Sequence, residues 1–187
     1  YVDARQNAGK INYNSKERKT NNIPVVIHII HRTSHANIGS GTNIPDIQIE
    51  DALRILNEDF SKTNPEFPNP PRNTFLNYWG NPELEFCLAT TDPYGNTTSG
   101  VTRTATAQTN WDADNNTESN AMKQNSSGGK DSWDPKKYLN IWICDLAETL
   151  NGYSTFPGAP ANLDGVVVDH TRFGDIGTAA GNAFIIK

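Results

Sequence analysis

The chain has 187 residues, 35% of them hydrophobic and 20% charged, which is typical of a globular protein rather than of a disordered one. Sixteen basic and 21 acidic residues give a net charge of −5, and no basic stripe is present, so a nucleic acid is not an expected partner. The longest apolar run, Val25 to Ile30, is interrupted by His28 and is far too short to cross a bilayer. We therefore expect no membrane partner either.

The polar stretch at the start of the chain differs in composition from the rest. Residues 1–22 are predicted to be a polar tail or the remnant of a prosegment, and residues 23–187 to form one domain. No signal-peptide pattern opens the sequence, so we expect any such peptide to have been removed already. Glycosylation sequons occur at Asn96, Asn115 and Asn125, and the sequence leaves their use open.

The first elements in chain order are a strand and a helix. Residues 23–31 form an almost continuous β-branched apolar run, which predicts a strand buried on both faces of a sheet. Residues 46–60 predict the one long helix of the chain, because apolar residues recur at helical spacing along one side. Residues 65–82 are rich in Pro and Asn and predict an irregular connection.

The second half of the chain predicts short strands separated by polar segments. We expect strands at 83–90, 138–144 and 164–169, and a short edge strand at 152–156. Residues 100–129 predict a long surface excursion with a short helical turn near Ala121. The order strand, helix, strand at the start predicts at least one parallel pair, with the helix covering one face of the sheet. The sequence supplies no second helix for the other face.

The side chains that could carry out catalysis are not arranged for it. The four histidines, His28, His31, His35 and His170, form no HExxH pattern, and no metal ligands are predicted. His28 and His31 lie three residues apart in a strand, so they point to opposite faces, and His28 is expected to be a hydrogen-bonded core residue. Cys144 lies in an apolar strand, where a thiol is expected to be inert rather than a nucleophile paired with His170.

Six segments of the sequence are specific when they are taken together and in order. They are IPVVIHIIHR from Ile23, LNEDFSKTN from Leu56, ELEFCLATTDPYGNTTSGVTRT from Glu83, WDPKKYLNIWICDL from Trp133, GYSTFPG from Gly152 and DGVVVDHTRFG from Asp164. In this order they resemble the pappalysin family of metzincin metallopeptidases, in particular its compact bacterial members. The resemblance spans about residues 23–174.

The resemblance implies a secreted, zinc-dependent metalloendopeptidase that hydrolyses peptide bonds in proteins, with protein or peptide substrates as partners. In that family an HExxHxxGxxH helix supplies three zinc-binding histidines and the general-base glutamate. We expect this helix after Lys187, in a missing C-terminal half of the catalytic domain. The 187-residue chain alone should therefore be inactive. Zinc is the expected cofactor of the parent protein, and calcium is a further candidate there.

The resemblance also implies a fold and a substrate-binding segment. The fold is α/β: a metzincin-like N-terminal subdomain with a twisted, mostly parallel sheet, an antiparallel edge strand and one long backing helix. The segment that matches the family's substrate-binding edge strand consists of Gly152, Tyr153, Ser154, Thr155 and Phe156, and it would bind an extended peptide through main-chain hydrogen bonds.

Two questions stay open at the level of sequence. Cys87 and Cys144 both lie in predicted strands and could form one disulfide if those strands are close neighbours. A non-catalytic peptide-binding or surface module on a peptidase-like scaffold is the alternative function. Substrate identity and oligomeric state are not predicted.

Overall fold

The computed structural model describes residues 20–65, 78, 80–115, 119–147, 150–156 and 158–181. Most of the predicted tail and most of the predicted irregular connection lie outside these ranges. Within them the chain forms a mixed α/β fold with a mostly parallel sheet, an antiparallel edge strand and one α-helix, which confirms the predicted fold class. None of the helices in these ranges combines the length and the apolar character that a bilayer crossing requires.

The sheet has six strands and is organised around the first. In chain order the elements are β1 (Asn21–Arg32), α1 (Asp46–Ser61), β2 (Leu84–Leu88), β3 (Val101–Thr106), β4 (Leu139–Cys144), β5 (Gly152–Ser154) and β6 (Val166–Asp169). The strand order is β2-β1-β4-β6-β5, and β3 also pairs with β1. β2 is in register with the first half of β1, and β3 with its second half. Every pair is parallel except β5 with β6.

β1 is buried on both faces, as its apolar run predicts. Val25, Ile27 and Ile29 face α1 and pack in one core cluster with Ile49 and Leu53 of the helix. The intervening residues, His28 and Ile30, face the opposite side of the sheet, where Trp142 of β4 lies. Alternation of side chains along the strand therefore divides the protein into two cores, one on each face.

The face opposite α1 is covered by the segment that follows β3, and our prediction of a surface excursion over 100–129 was wrong. The predicted short helical turn near Ala121 is present as a 3-10 turn, Ala121–Lys123. Trp111 and Met122 from this segment are buried against Trp142 and Leu146 in the second core cluster. A second helix is not needed on this face because a few large side chains in irregular backbone bury it.

β3 was missed for a related reason. Its sequence, VTRTAT, alternates Thr with other residues and lacks the apolar character that marked the other strands. Pairing with β1 supplies its backbone partners. The Arg103 guanidinium donates to the Asn43 side-chain oxygen and the Ile44 carbonyl, and it pairs with Asp46 at the start of α1. These contacts tie the polar strand to the helix.

The face that carries α1 is only partly covered by it. Beside the helix lies an apolar groove of about 280 Å³. Its walls come from α1, β2, β4 and β6, and they include Leu56, Phe86, Leu139, Ile141, Val166 and Val168. The uncovered apolar area is therefore next to β6, on the same face as the helix.

The structure does not form the disulfide that the sequence left open. Cys87 and Cys144 are both free thiols. β2 and β4 lie on opposite sides of β1, with Cys87 in register with Pro24, and Ile143, which precedes Cys144, in register with Ile29. Cys87 and Cys144 are therefore six positions apart along the strands, which corresponds to roughly 20 Å. A disulfide requires Cα atoms within about 7 Å.

Gly165 allows the start of β6 to approach β4 closely. Its φ is +139°, and a Cβ atom there would lie 2.4 Å from the Asn140 carbonyl oxygen. We expect Gly165→Ala to lower the free energy of unfolding by roughly 2–4 kcal/mol, since it adds a backbone clash to the conformational strain. The measurement is urea denaturation of both proteins.

Gly158→Ala is the matched control for that prediction. Gly158 also has a positive φ, +95°, but apart from its chain neighbours no atom of the described residues lies within 4 Å of a Cβ built on it. This substitution should cost only the conformational strain, about 1–2 kcal/mol. Equal losses of stability in the two variants would contradict the steric role of Gly165.

Candidate functional site

β5 is the edge of the sheet, and it pairs with a single strand. Tyr153 is in register with Val167, and the flanking residues pair with Val168 and Val166. Within the described residues no strand lies on the other side of β5. An edge of this kind presents unpaired main-chain N–H and C=O groups to a binding partner.

The hydrogen bonds at the two ends of β5 show which residues face outward. The Asn151 carbonyl accepts from the Asp169 N–H at 2.9 Å, and the Thr155 N–H donates to the Gly165 carbonyl at 3.4 Å. In an antiparallel strand the backbone groups of alternate residues point to the same side. Residues 151, 153 and 155 therefore face β6, and the N–H and C=O groups of Gly152 and Ser154 face away from the sheet.

The side chains of the predicted substrate-binding segment have different surroundings. Ser154 is exposed and lies on the face that carries α1 and the apolar groove, since its partner Val166 lines that groove. Tyr153 lies on the opposite face and packs in the second core. Phe156 is 88% exposed. The segment thus offers backbone at Gly152 and Ser154 and an aromatic ring at Phe156.

Residues around the Ala121–Lys123 turn contact β5 and its end on the face of the sheet opposite α1. The Tyr153 hydroxyl donates to the Ser119 carbonyl and lies 3.1 Å from Met122 Sδ. Burial raises the pKa of Tyr153, so its phenol remains a donor. The Lys123 ammonium contacts Thr155. Sequence reasoning missed this support because the residues stand in a polar, Asn-rich stretch that gives no periodic signal.

Three of the four histidines, His28, His31 and His35, form hydrogen bonds through their rings. His28 joins three strands: its Nε2 donates to Asn140 Oδ1 at 3.1 Å, and its Nδ1 accepts from the Thr102 hydroxyl at 2.7 Å. This confirms the predicted core role. The His31 ring contacts the Arg32 carbonyl, and the His35 ring accepts from the Thr42 backbone N–H.

A resident zinc ion does not fit the part of the chain that the structure describes. Over those ranges no group of three or more His, Cys, Asp or Glu side chains is placed to hold a metal. The Cys144 thiol is fully buried, and burial raises its pKa well above the usual value, which disfavours the thiolate form that a nucleophile requires. The exposed sheet edge at β5 can bind a partner through main-chain hydrogen bonds.

Comparison with solved structures identifies the fold. The chain is 38% identical to mirolysin in complex with a compound, with a TM-score of 0.76 over 89% of this chain and 58% of that one. Mature mirolysin of Tannerella forsythia bound to a cleaved peptide gives 38% identity, a TM-score of 0.77 and the same coverage. A mutant of T. forsythia promirolysin is 38% identical, with a TM-score of 0.77 over 89% of this chain and 52% of that one. No family model and no curated protein matches.

These similarities define a metallopeptidase-like scaffold of the metzincin class. The chain corresponds to the N-terminal part of mirolysin, which confirms the resemblance to the pappalysin family. It spans 58% of the length of the two mirolysin chains and 52% of that of the promirolysin chain.

The buried His28 predicts a loss of stability in acid. Burial lowers its pKa from 6.5 to about 4, while its hydrogen bond with Asn140 opposes that shift. Between these two pH values the unfolded chain binds a proton that the folded chain excludes, so the free energy of unfolding falls as the pH falls. We expect His28 to contribute a loss of about 3 kcal/mol by pH 4.

The measurement is urea denaturation of the wild type and His28→Gln at several pH values from 7 to 4. Glutamine keeps hydrogen-bonding capacity but does not titrate. The variant should therefore show a shallower decline. A smaller decline remains because burial also lowers the pKa of His170. Parallel declines in the two proteins would contradict the prediction.

Proposed function

We propose that these 187 residues are the N-terminal, substrate-cleft half of a secreted, zinc-dependent metalloendopeptidase. The observation that carries the proposal is the match to mirolysin at 38% identity over 89% of the chain, including a mirolysin complex with a cleaved peptide. The zinc ligands and the general base are assigned to an HExxHxxGxxH helix in the rest of the catalytic domain. The 187-residue chain by itself is then inactive.

The outer edge of β5 is the proposed peptide-binding element. An extended substrate adds to this edge as a further strand, and the N–H and C=O groups of Gly152 and Ser154 supply its main-chain hydrogen bonds. Their outward direction, derived from the bonds at Asn151 and Thr155, supports this assignment. Backbone recognition of this kind accepts many sequences, and the exposed ring of Phe156 offers an apolar contact for a substrate side chain.

The apolar groove beside α1 is the proposed contact surface for the remainder of the domain. It adjoins β6 on the face toward which Ser154 projects, so an element packed there would lie below the peptide-binding edge. The sheet and that element would then form the two walls of the cleft. The isolated chain would expose this groove and tend to associate through it.

The test of the proposal is a comparison of two proteins. We expect the protein with its complete catalytic domain to cleave a casein or peptide substrate, to lose that activity on treatment with a zinc chelator, and to regain it with added zinc. Residues 1–187 alone should show no cleavage. A complete protein that binds peptides without hydrolysing them would overturn the catalytic proposal in favour of a binding module.

A substitution at Ser154 tests the role of the edge. Ser154→Pro removes an outward N–H and should raise KM roughly 3- to 10-fold, the equivalent of one lost hydrogen bond, with little change in kcat. Ser154→Ala keeps the backbone donor and is the matched control, with unchanged kinetics. Steady-state kinetics on one peptide gives both values. Unchanged KM in the proline variant would rule out strand addition at this edge.

A further inference from the structure

Lys123 is a lysine whose side chain is almost entirely removed from solvent. It ends the Ala121–Lys123 turn and is 1% exposed. Its Nζ donates to the Leu163 carbonyl at 2.7 Å and to the Thr155 hydroxyl at 3.2 Å. The same atom lies 5.1 Å from the ring centroid of Trp142 and 5.2 Å from that of Tyr153.

This position is unfavourable for an ammonium group. Removing a charge from water costs several kcal/mol unless it is paired and hydrogen-bonded. In the described part of the chain Lys123 forms no ion pair. Burial lowers its pKa to about 8, and the negative charge of the Asp164 carboxylate opposes that shift. A methionine would fill similar space without that cost. What lysine adds is the set of directed contacts to Thr155, Leu163 and the two rings.

These contacts meet at the two ends of the connection between β5 and β6. Thr155 directly follows β5, and Leu163 ends the 3-10 turn Ala161–Leu163 that leads into β6. The Thr155 hydroxyl itself donates to the Leu163 carbonyl, so the ammonium closes a three-membered polar cluster. β5 has only three residues and one partner strand. Its position therefore depends on contacts at its ends more than on its own ladder.

We propose that Lys123 is a positioning residue that holds β5 in the geometry required for peptide binding. The inference rests on the proposed function, in which the outer edge of β5 receives the substrate. The ammonium bonds to both Thr155 and Leu163 and lies against Tyr153, so it fixes the strand from the face opposite the apolar groove and leaves the outer edge free. The outward groups of Gly152 and Ser154 then stay aligned without paying an ordering cost when the peptide binds.

The primary experiment substitutes Lys123→Met in the protein with its complete catalytic domain. We expect faster amide hydrogen exchange at Tyr153 and Thr155, whose N–H groups face β6, and at residues 163–166, and a KM raised roughly 3- to 10-fold with kcat within about twofold. A purely structural loss would lower the fraction of active enzyme, which reduces the apparent kcat and leaves KM unchanged. The split between KM and kcat thus separates positioning from stability.

Two further variants complete the design. Lys137→Met makes the same substitution at an exposed lysine before β4, and it should change neither exchange nor kinetics. Thr155→Val removes one of the two oxygen acceptors, and it should shift exchange and KM in the same direction as Lys123→Met but by less. If Lys123→Met does not fold, the Thr155→Val variant still tests the positioning role of the cluster. Combined with Lys123→Met it should add little, since both act through one cluster.

The outcomes distinguish this inference from the proposed function. Unchanged exchange across 152–166 in both variants, or a loss confined to kcat, would overturn the role of Lys123. If the wild type has no peptidase activity, the proposed function fails. Hydrogen exchange still decides in that case: faster exchange in the Lys123→Met variant supports the positioning of β5, and unchanged exchange refutes it.

Discussion

The hydrogen-bonded pairing along β1 is the constraint on which the rest of the structure depends. One twelve-residue strand is the partner of β2 and β3 on one side and of β4 on the other. Its residues from Val25 to His31 are all buried, so both faces must be covered for the strand to exist at all. The two cores follow from that requirement, with α1 packed on one face and the side chains of Trp111 and Met122 on the other.

The edge strand β5 differs from β1 in how it is held in place. β5 is placed by one short ladder to β6 and by side chains that reach it from a distant part of the sequence. This leaves its outer backbone groups available, which a strand paired on both sides would not do. A binding edge of this kind needs support that does not occupy the edge itself. The polar contacts of Tyr153 and Lys123 provide it from the second core.

The sequence predicted those elements whose formation depends on local pattern. The apolar run of β1 and the helical stripe of α1 both specify their own burial, and both lie where they were expected. β3 and the cover of the second face were missed because neither carries a pattern. VTRTAT becomes a strand through its pairing with β1, and Trp111 and Met122 are isolated apolar residues in a polar segment. Such residues are recognised as core only once the sheet that they cover is known.

The candidate site also combines features that the sequence predicted with features that only the structure reveals. The segment Gly152–Phe156 was selected through a family resemblance that the comparison with mirolysin confirms, whereas its assignment as a substrate-binding element remains a prediction. Which of its residues face outward follows only from the register with β6 and the bonds at Asn151 and Thr155. Lys123 lies thirty-two residues from Thr155 in sequence and contacts it through a single hydrogen bond. No local pattern encodes a contact of that kind. A buried lysine that forms no ion pair within the described residues is nevertheless costly, and that cost is the physical reason to assign Lys123 a role at the site as well as in the second core.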